Sequence, residues 1–150
     1  MATYLSNELA GTTTGLTQTA ATGYKPKATV YGARLKRLRA TITFASQTTS
    51  DVIQLGNLPA GAVFAFGQIN VSASTSTATL AIGISGTPAK YAAAAAYTTT
   101  DTPTLFGKNA VVAASDAGSS AEETLIATIG TASLPASGTA VVDIYYSAAN

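Results

Sequence analysis

The chain has 150 residues, a formal net charge of +1, 10% charged side chains, and neither Cys nor His. That composition excludes a disulfide framework, a Cys/His zinc site and thiol chemistry, and it removes the commonest general base. Near-neutrality leaves no global electrostatic case for nucleic acid or an anionic membrane, and no run approaches the ~20 apolar residues of a membrane-spanning helix.

The length fits one domain, which at this size buries roughly 70% of the surface its unfolded chain exposes. Charge is far below the roughly 25% of an average globular protein. The remainder is mostly Thr, Ser, Gly and Ala. A surface of hydroxyls and methyls repels its neighbours weakly, which suits a protein packed among other subunits. A stable β-domain whose surface has drifted toward Thr and Ala has the same composition.

Residues 1–27 carry scattered apolar side chains, Leu5, Leu9, Leu16 and Tyr24, with neither the helical nor the strand period. They read as an extended N-terminal arm preceding a domain at 28–150. The arm begins with neither a basic region nor an apolar core, so no secretion signal is visible in it. It holds too little charge for a typical disordered tail, and docking along a neighbouring subunit is the expected role.

Six of the eight basic residues fall between Lys25 and Arg39: Lys25, Lys27, Arg34, Lys36, Arg37 and Arg39. From Leu38 the pattern alternates, with Leu38, Ala40, Ile42 and Phe44 on one face and Arg39, Thr41 and Thr43 on the other. That is a half-buried strand. Its Lys and Arg residues fit an edge strand guarded against unwanted pairing, or a contact with an acidic surface. Phosphate is the weaker expectation, because no aromatic platform or helix accompanies the charges.

Asp51 to Ser74 reads as a hairpin: a short strand, the turn Asn57-Leu58-Pro59-Ala60-Gly61, and a long strand. The long strand changes phase, with Ala62, Phe64 and Phe66 on one parity and Ile69 and Val71 on the other. A bulge or bend at Gly67 is the expected cause, letting the strand serve both sheets of a sandwich. Leu80, Ile82 and Ile84 point inward from the strand Thr79 to Ser85. The alanine run from Ala89 to Tyr97 predicts a short helix anchored by Tyr91 and Tyr97, since Ala has the highest helix propensity. Another strand is expected at 109–114 and a loop from Ser115 to Ala121.

Glu123 to Gly130 has apolar residues on both faces, as a central strand does. LPASG then repeats the chemistry of LPAG, and Thr139 to Ser147 closes the fold with Val142, Ile144 and Tyr146 inward. Short strands separated by Gly/Pro turns predict an all-β antiparallel sandwich, a jelly roll of about eight strands with an N-terminal arm and one short helical turn.

No catalytic or nucleotide-binding motif occurs. Asp116, Glu122 and Glu123 could touch a calcium ion but lack the EF-hand spacing, and a solvated loop accounts for them as well. A glycosidase pair such as Asp101 with Asp143 has no specific support. Neither an enzyme nor a cofactor is expected.

The stretches DVIQLGNLPAGAVFAFGQINVSAS, TATLAIGISGTPAKYAAAA and EETLIATIGTASLPASGTAVVDIYY resemble the small jelly-roll structural proteins of tailed bacteriophages. The likeness spans roughly residues 28 to 146 and implies a capsid decoration (cement) protein. Such a protein would be made in the host cytoplasm, assemble as a homotrimer, bind the major capsid protein on the outside of the virion and stabilise the shell. No nucleic-acid or membrane partner is implied. Candidate contact residues are Tyr4, Leu5, Leu9, Leu16, Tyr24, Lys25, Lys27, Arg34, Lys36, Arg37 and Arg39. The alternative is a receptor- or carbohydrate-binding domain of a fibre or tail, in which Tyr4, Tyr24, Tyr31, Tyr91, Tyr97, Tyr145 and Tyr146 would supply stacking surface.

Overall fold

A computed structural model describes residues 34–107 and 118–148. The arm at 1–27 and the strand expected at 109–114 lie outside the described residues. Those described form eight strands: β1 (Leu35–Thr43), β2 (Val52–Leu58), β3 (Val63–Val71), β4 (Thr79–Ile84), β5 (Thr87–Ala95), β6 (Thr104–Phe106), β7 (Glu123–Gly130) and β8 (Thr139–Ser147).

They make two four-stranded sheets in the orders β1-β8-β3-β6 and β2-β7-β4-β5. The first strand pairs the last, the second the seventh, the third the sixth and the fourth the fifth, all antiparallel. This is one long hairpin rolled up so that alternate strand pairs fall in opposite sheets, the topology of a jelly roll.

The alternating patterns explain the core. Ile42 and Phe44 from β1 and its end, Ile69 and Val71 from β3, and Val142 and Ile144 from β8 are buried on one inner face. Leu80 and Ile82 of β4 and Leu125, Ala127 and Ile129 of β7 meet them from the other. Burying each Leu, Ile or Phe of this kind contributes about 1.5–3 kcal/mol relative to exposure.

β2 and β3 lie in different sheets, so Asp51 to Ser74 is a corner between sheets rather than a hairpin. Leu58 is buried at the corner, and Gly61 takes φ 78°, which a residue with a Cβ rarely adopts. LPASG does the same work between β7 and β8, with Leu134 buried. Both copies of the motif carry the chain from the second sheet to the first. Because β2 and β7 are antiparallel, the two crossings occur at opposite ends of the sandwich.

The phase change in β3 is present, but its cause differs from the expected one. The pairing with β8 shifts between Phe64 and Phe66, so the bulge sits at Ala65, and β3 stays in one sheet. Gly67 is small for another reason: a Cβ there would run into the ring of Phe106 on β6.

The alanine run is strand β5, not a helix. An isolated helix of this length is marginal in water, whereas pairing with β4 satisfies the backbone and buries Tyr91 and Ala92. The ring of Tyr91 packs on Phe64 at 4.6 Å between centroids. Tyr97 is buried beyond the strand end, where Thr75 accepts from its backbone N–H at 2.8 Å.

Candidate interaction surface

The residues of β1 that face away from the core are Leu35, Arg37, Arg39, Thr41 and Thr43, and register sets what each meets. Arg39 stands opposite Asp143 of β8, and Asp143 stands opposite Gln68 of β3. The Arg39 guanidinium donates from Nε to Oδ1 and from a terminal nitrogen to Oδ2, each at 2.7 Å, and the Gln68 amide adds a bond at 3.0 Å to Oδ2. This bidentate fork is the strong form of a carboxylate–arginine pair.

Asp143 is buried although it lies on an outward row, because its two partners, Arg39 and Gln68, cover it. The Arg39 hydrogen bonds hold its carboxyl below the usual range, against burial, which acts in the opposite direction; Gln68 and the charge of Arg37 reinforce the lowering. The Arg39 charge is correspondingly favoured.

One row along, Arg37 is opposite Tyr145, and Tyr145 is opposite Phe66. The Phe66 and Tyr145 rings stack at 4.6 Å with planes 19° apart. Phe66 is 38% exposed, and Leu35 and Leu105 at the margins of the same sheet are 55% and 70% exposed. Three of the four exposed large apolar side chains among the described residues therefore belong to this sheet. The fourth, Val52, lies on β2 of the other.

Of the candidate residues named from sequence, Lys36, Arg37 and Arg39 are exposed on edge strand β1 and Arg34 is exposed just before it, with Arg37 and Arg39 on the outward parity and Lys36 on the other. Tyr4, Leu5, Leu9, Leu16, Tyr24, Lys25 and Lys27 lie outside the described residues. Asp143, Gln68, Phe66 and Leu105 were not anticipated as surface residues, and Tyr145 was named only as part of a sugar-stacking surface. The signal available for Tyr145 was its outward parity in β8, opposite to Tyr146.

The tyrosines do not form a sugar platform among the described residues. Tyr91 and Tyr97 are buried, Tyr146 packs against the core, and Tyr145 stacks on Phe66. Tyr31, like Tyr4 and Tyr24, lies outside the described residues.

Asp51, Glu122, Glu123 and Asp143 are engaged in structural bonds. Glu122 accepts from the Asn57 amide at 2.8 Å, and Glu123 accepts from both Lys90 and the Tyr91 hydroxyl. Burial, then the bond to Glu123, pushes the Tyr91 hydroxyl well above its ordinary pKa. No group of three or more His, Cys, Asp or Glu side chains comes together among the described residues. A cleft of about 330 Å³ between β5 and β6 is lined by alanines, threonines, Tyr97, Leu105, Phe106 and Gly107, with no charged group. Asp143, held ionised by its fork, is unsuited to the proton donation that a glycosidase acid requires.

No protein-family model matches the chain, and no curated protein matches it in sequence. Solved structures do share its architecture. A chain of the Cyanophage Pam1 capsid asymmetric unit aligns with a TM-score of 0.61 at 19% identity, over 91% of this chain and 97% of that one. A chain of the capsid of Ralstonia phage GP4 gives 0.61 at 17% identity, over 78% and 86%. The acidic stable capsid structure of Helicobacter pylori bacteriophage KHP30 gives 0.53 at 16%, over 75% and 86%. All three are phage capsids. At these identities what is shared is the fold.

Proposed function

We propose that the chain is a virion structural protein of a tailed bacteriophage, a decoration protein that binds the outer surface of the capsid shell and stabilises it as a trimer. The observation that carries this reading is the near end-to-end correspondence with one chain of a phage capsid asymmetric unit. The alignment spans 91% of this chain and 97% of the capsid chain it matches, which supports a role beside other capsid components. Low surface charge and carboxylates committed to structural bonds support the same non-enzymatic role. The arm and the basic strand β1 are the contact elements in this reading, with the major capsid protein and a second copy as partners.

The test uses purified particles of the phage that encodes the chain. Mass spectrometry of separated heads and tails should find it in heads. Particles assembled without it should release DNA at lower temperature than complete ones, and adding the purified protein back should restore the difference. Its presence only in tails would refute the proposal. So would unchanged heat and osmotic resistance of particles lacking it.

A further inference from the structure

Charge is divided unequally between the two sheets. Among the described residues, four of the five basic side chains, Arg34, Lys36, Arg37 and Arg39, lie on or just before β1 in the first sheet. That sheet holds one carboxylate, Asp143, which Arg39 already neutralises. Asp51, Glu122 and Glu123 lie on or just before β2 and β7 in the second sheet, with Lys90. Arg37 and Arg39 are on the outward parity of β1, whereas Arg34 and Lys36 share the parity of core-facing Leu38 and Ala40. Beyond the Arg39–Asp143 pair, the outward face thus presents Arg37 at its β1 margin together with exposed Leu35, Phe66 and Leu105.

We propose that the outward face of the β1-β8-β3-β6 sheet, centred on Phe66 and Tyr145 and bounded by Arg37 and Leu105, is the face that docks on the shell, and that its partner is a protein surface combining carboxylates with apolar side chains. The inference rests on the decoration reading and says which face it uses. Aromatic residues and arginine are the residue types that dominate binding energy at protein interfaces. Here they are pre-ordered: the Phe66–Tyr145 stack and the Arg39–Asp143–Gln68 bonds fix side chains that would otherwise lose rotamer freedom on binding.

Two other occupants fit less well. A second copy meeting this face across a two-fold axis would bring Arg37 no free carboxylate, because the one carboxylate of the sheet, Asp143, is already paired with Arg39. Meeting the second sheet instead, it would find Asp51 bonded to Thr48, Glu122 to Asn57 and Glu123 to Lys90. Single-stranded nucleic acid needs open ring faces on which bases stack. Phe66 and Tyr145 each already give one ring face to the other.

The experiment is co-sedimentation of the full-length protein with purified empty shells of the encoding phage, across a salt series, with circular dichroism as the control for folding. The double substitution Phe66→Ser with Leu105→Ser should weaken binding roughly thirtyfold or more, as loss of an interface hot spot does. Arg37→Glu should weaken it more than Arg37→Gln, and wild-type binding should fall as salt rises. Val52→Ser on the other sheet should bind as wild type.

Wild-type binding that none of the first-sheet substitutions alters would overturn the face while leaving the decoration reading intact. Equal effects of Arg37→Glu and Arg37→Gln would overturn the acidic partner. Substitutions that abolish self-association, or binding to oligo-dT, while leaving shell binding unchanged would reassign the face to a second copy or to nucleic acid. No binding of the wild-type protein to shells would remove the decoration reading itself, and the inference with it.

Discussion

The inner faces of the two sheets are alike, and their outer faces are not. Inside, both present fully buried Ile, Leu and Val: Ile144 and Val142 from the first sheet, Leu125 and Ile129 from the second. Outside, the first sheet carries a half-buried ion pair, an aromatic stack and exposed Leu35 and Leu105. The second carries Val52, Gln54, Asn57, Thr124, Ile126 and Thr128, with Ala81 and Gly83 buried at the β4–β5 side. The two sheets therefore differ in what they present to solvent and not in how they build the core.

Truncating the core should give the largest effect and the same one on both sides. Ile144→Ala and Leu125→Ala each remove a fully buried side chain, and each should cost about 2–5 kcal/mol, measured by denaturant unfolding. A large difference between them would mean that one inner face contributes little, and the comparison would have to be redrawn.

Arg39→Ala should come next and is specific to the first sheet. It removes the bidentate charge-assisted bonds and leaves Asp143 with the Gln68 amide, and losing the paired charge destabilises the fold. In the wild type the folded-state pKa of Asp143 lies below its unfolded value, so its contribution is present above that unfolded value, about 4. That contribution is lost as pH falls through the folded-state pKa. The stability gap between wild type and Arg39→Ala should accordingly be full at pH 7 and narrow as pH drops below about 4. A gap independent of pH would show that Arg39 acts through packing of its stem rather than through the pair.

Much of this architecture was legible from period-two patterning. The spans of β7 and β8 follow directly from alternation in ETLIATIG and TAVVDIYYS, where β-branched residues leave little ambiguity. Alanine carries no such signature, so β5 read as a helix until the pairing with β4 was known. β6 is three residues long, too short for any period. LPAG shows that the chain turns but not whether it returns to the same sheet, which is why a corner read as a hairpin.

The surface was half legible for a related reason. Arg37 and Arg39 stood out locally, but the Arg39–Asp143 pair spans 104 residues and exists only because β1 and β8 share a register. Phe66 read as facing with Phe64 because the bulge was placed two residues too late. Moving it to Ala65 turns Phe66 outward onto Tyr145.

The smallest expected effect has the opposite sign and belongs to the second sheet. The Thr128 hydroxyl on β7 is buried and has no hydrogen-bond partner among the described residues. Its row neighbours are Val52 and Ala81, neither of which has a side-chain polar atom. A buried hydroxyl without a partner has lost its water and gained nothing in return. Thr128→Val replaces that oxygen with a methyl of similar size and retains the β-branched shape that suits a strand. It should raise stability by up to about 1 kcal/mol, read as a higher denaturant midpoint with an unchanged m-value. The outward row of the first sheet should respond differently, because the polar atoms of Asp143 and Gln68 are bonded to each other and to Arg39. There Gln68→Leu should destabilise, since the carboxylate loses a donor that a leucine cannot supply. If both substitutions moved the midpoint in the same direction, polar satisfaction would not be what separates the two outer faces.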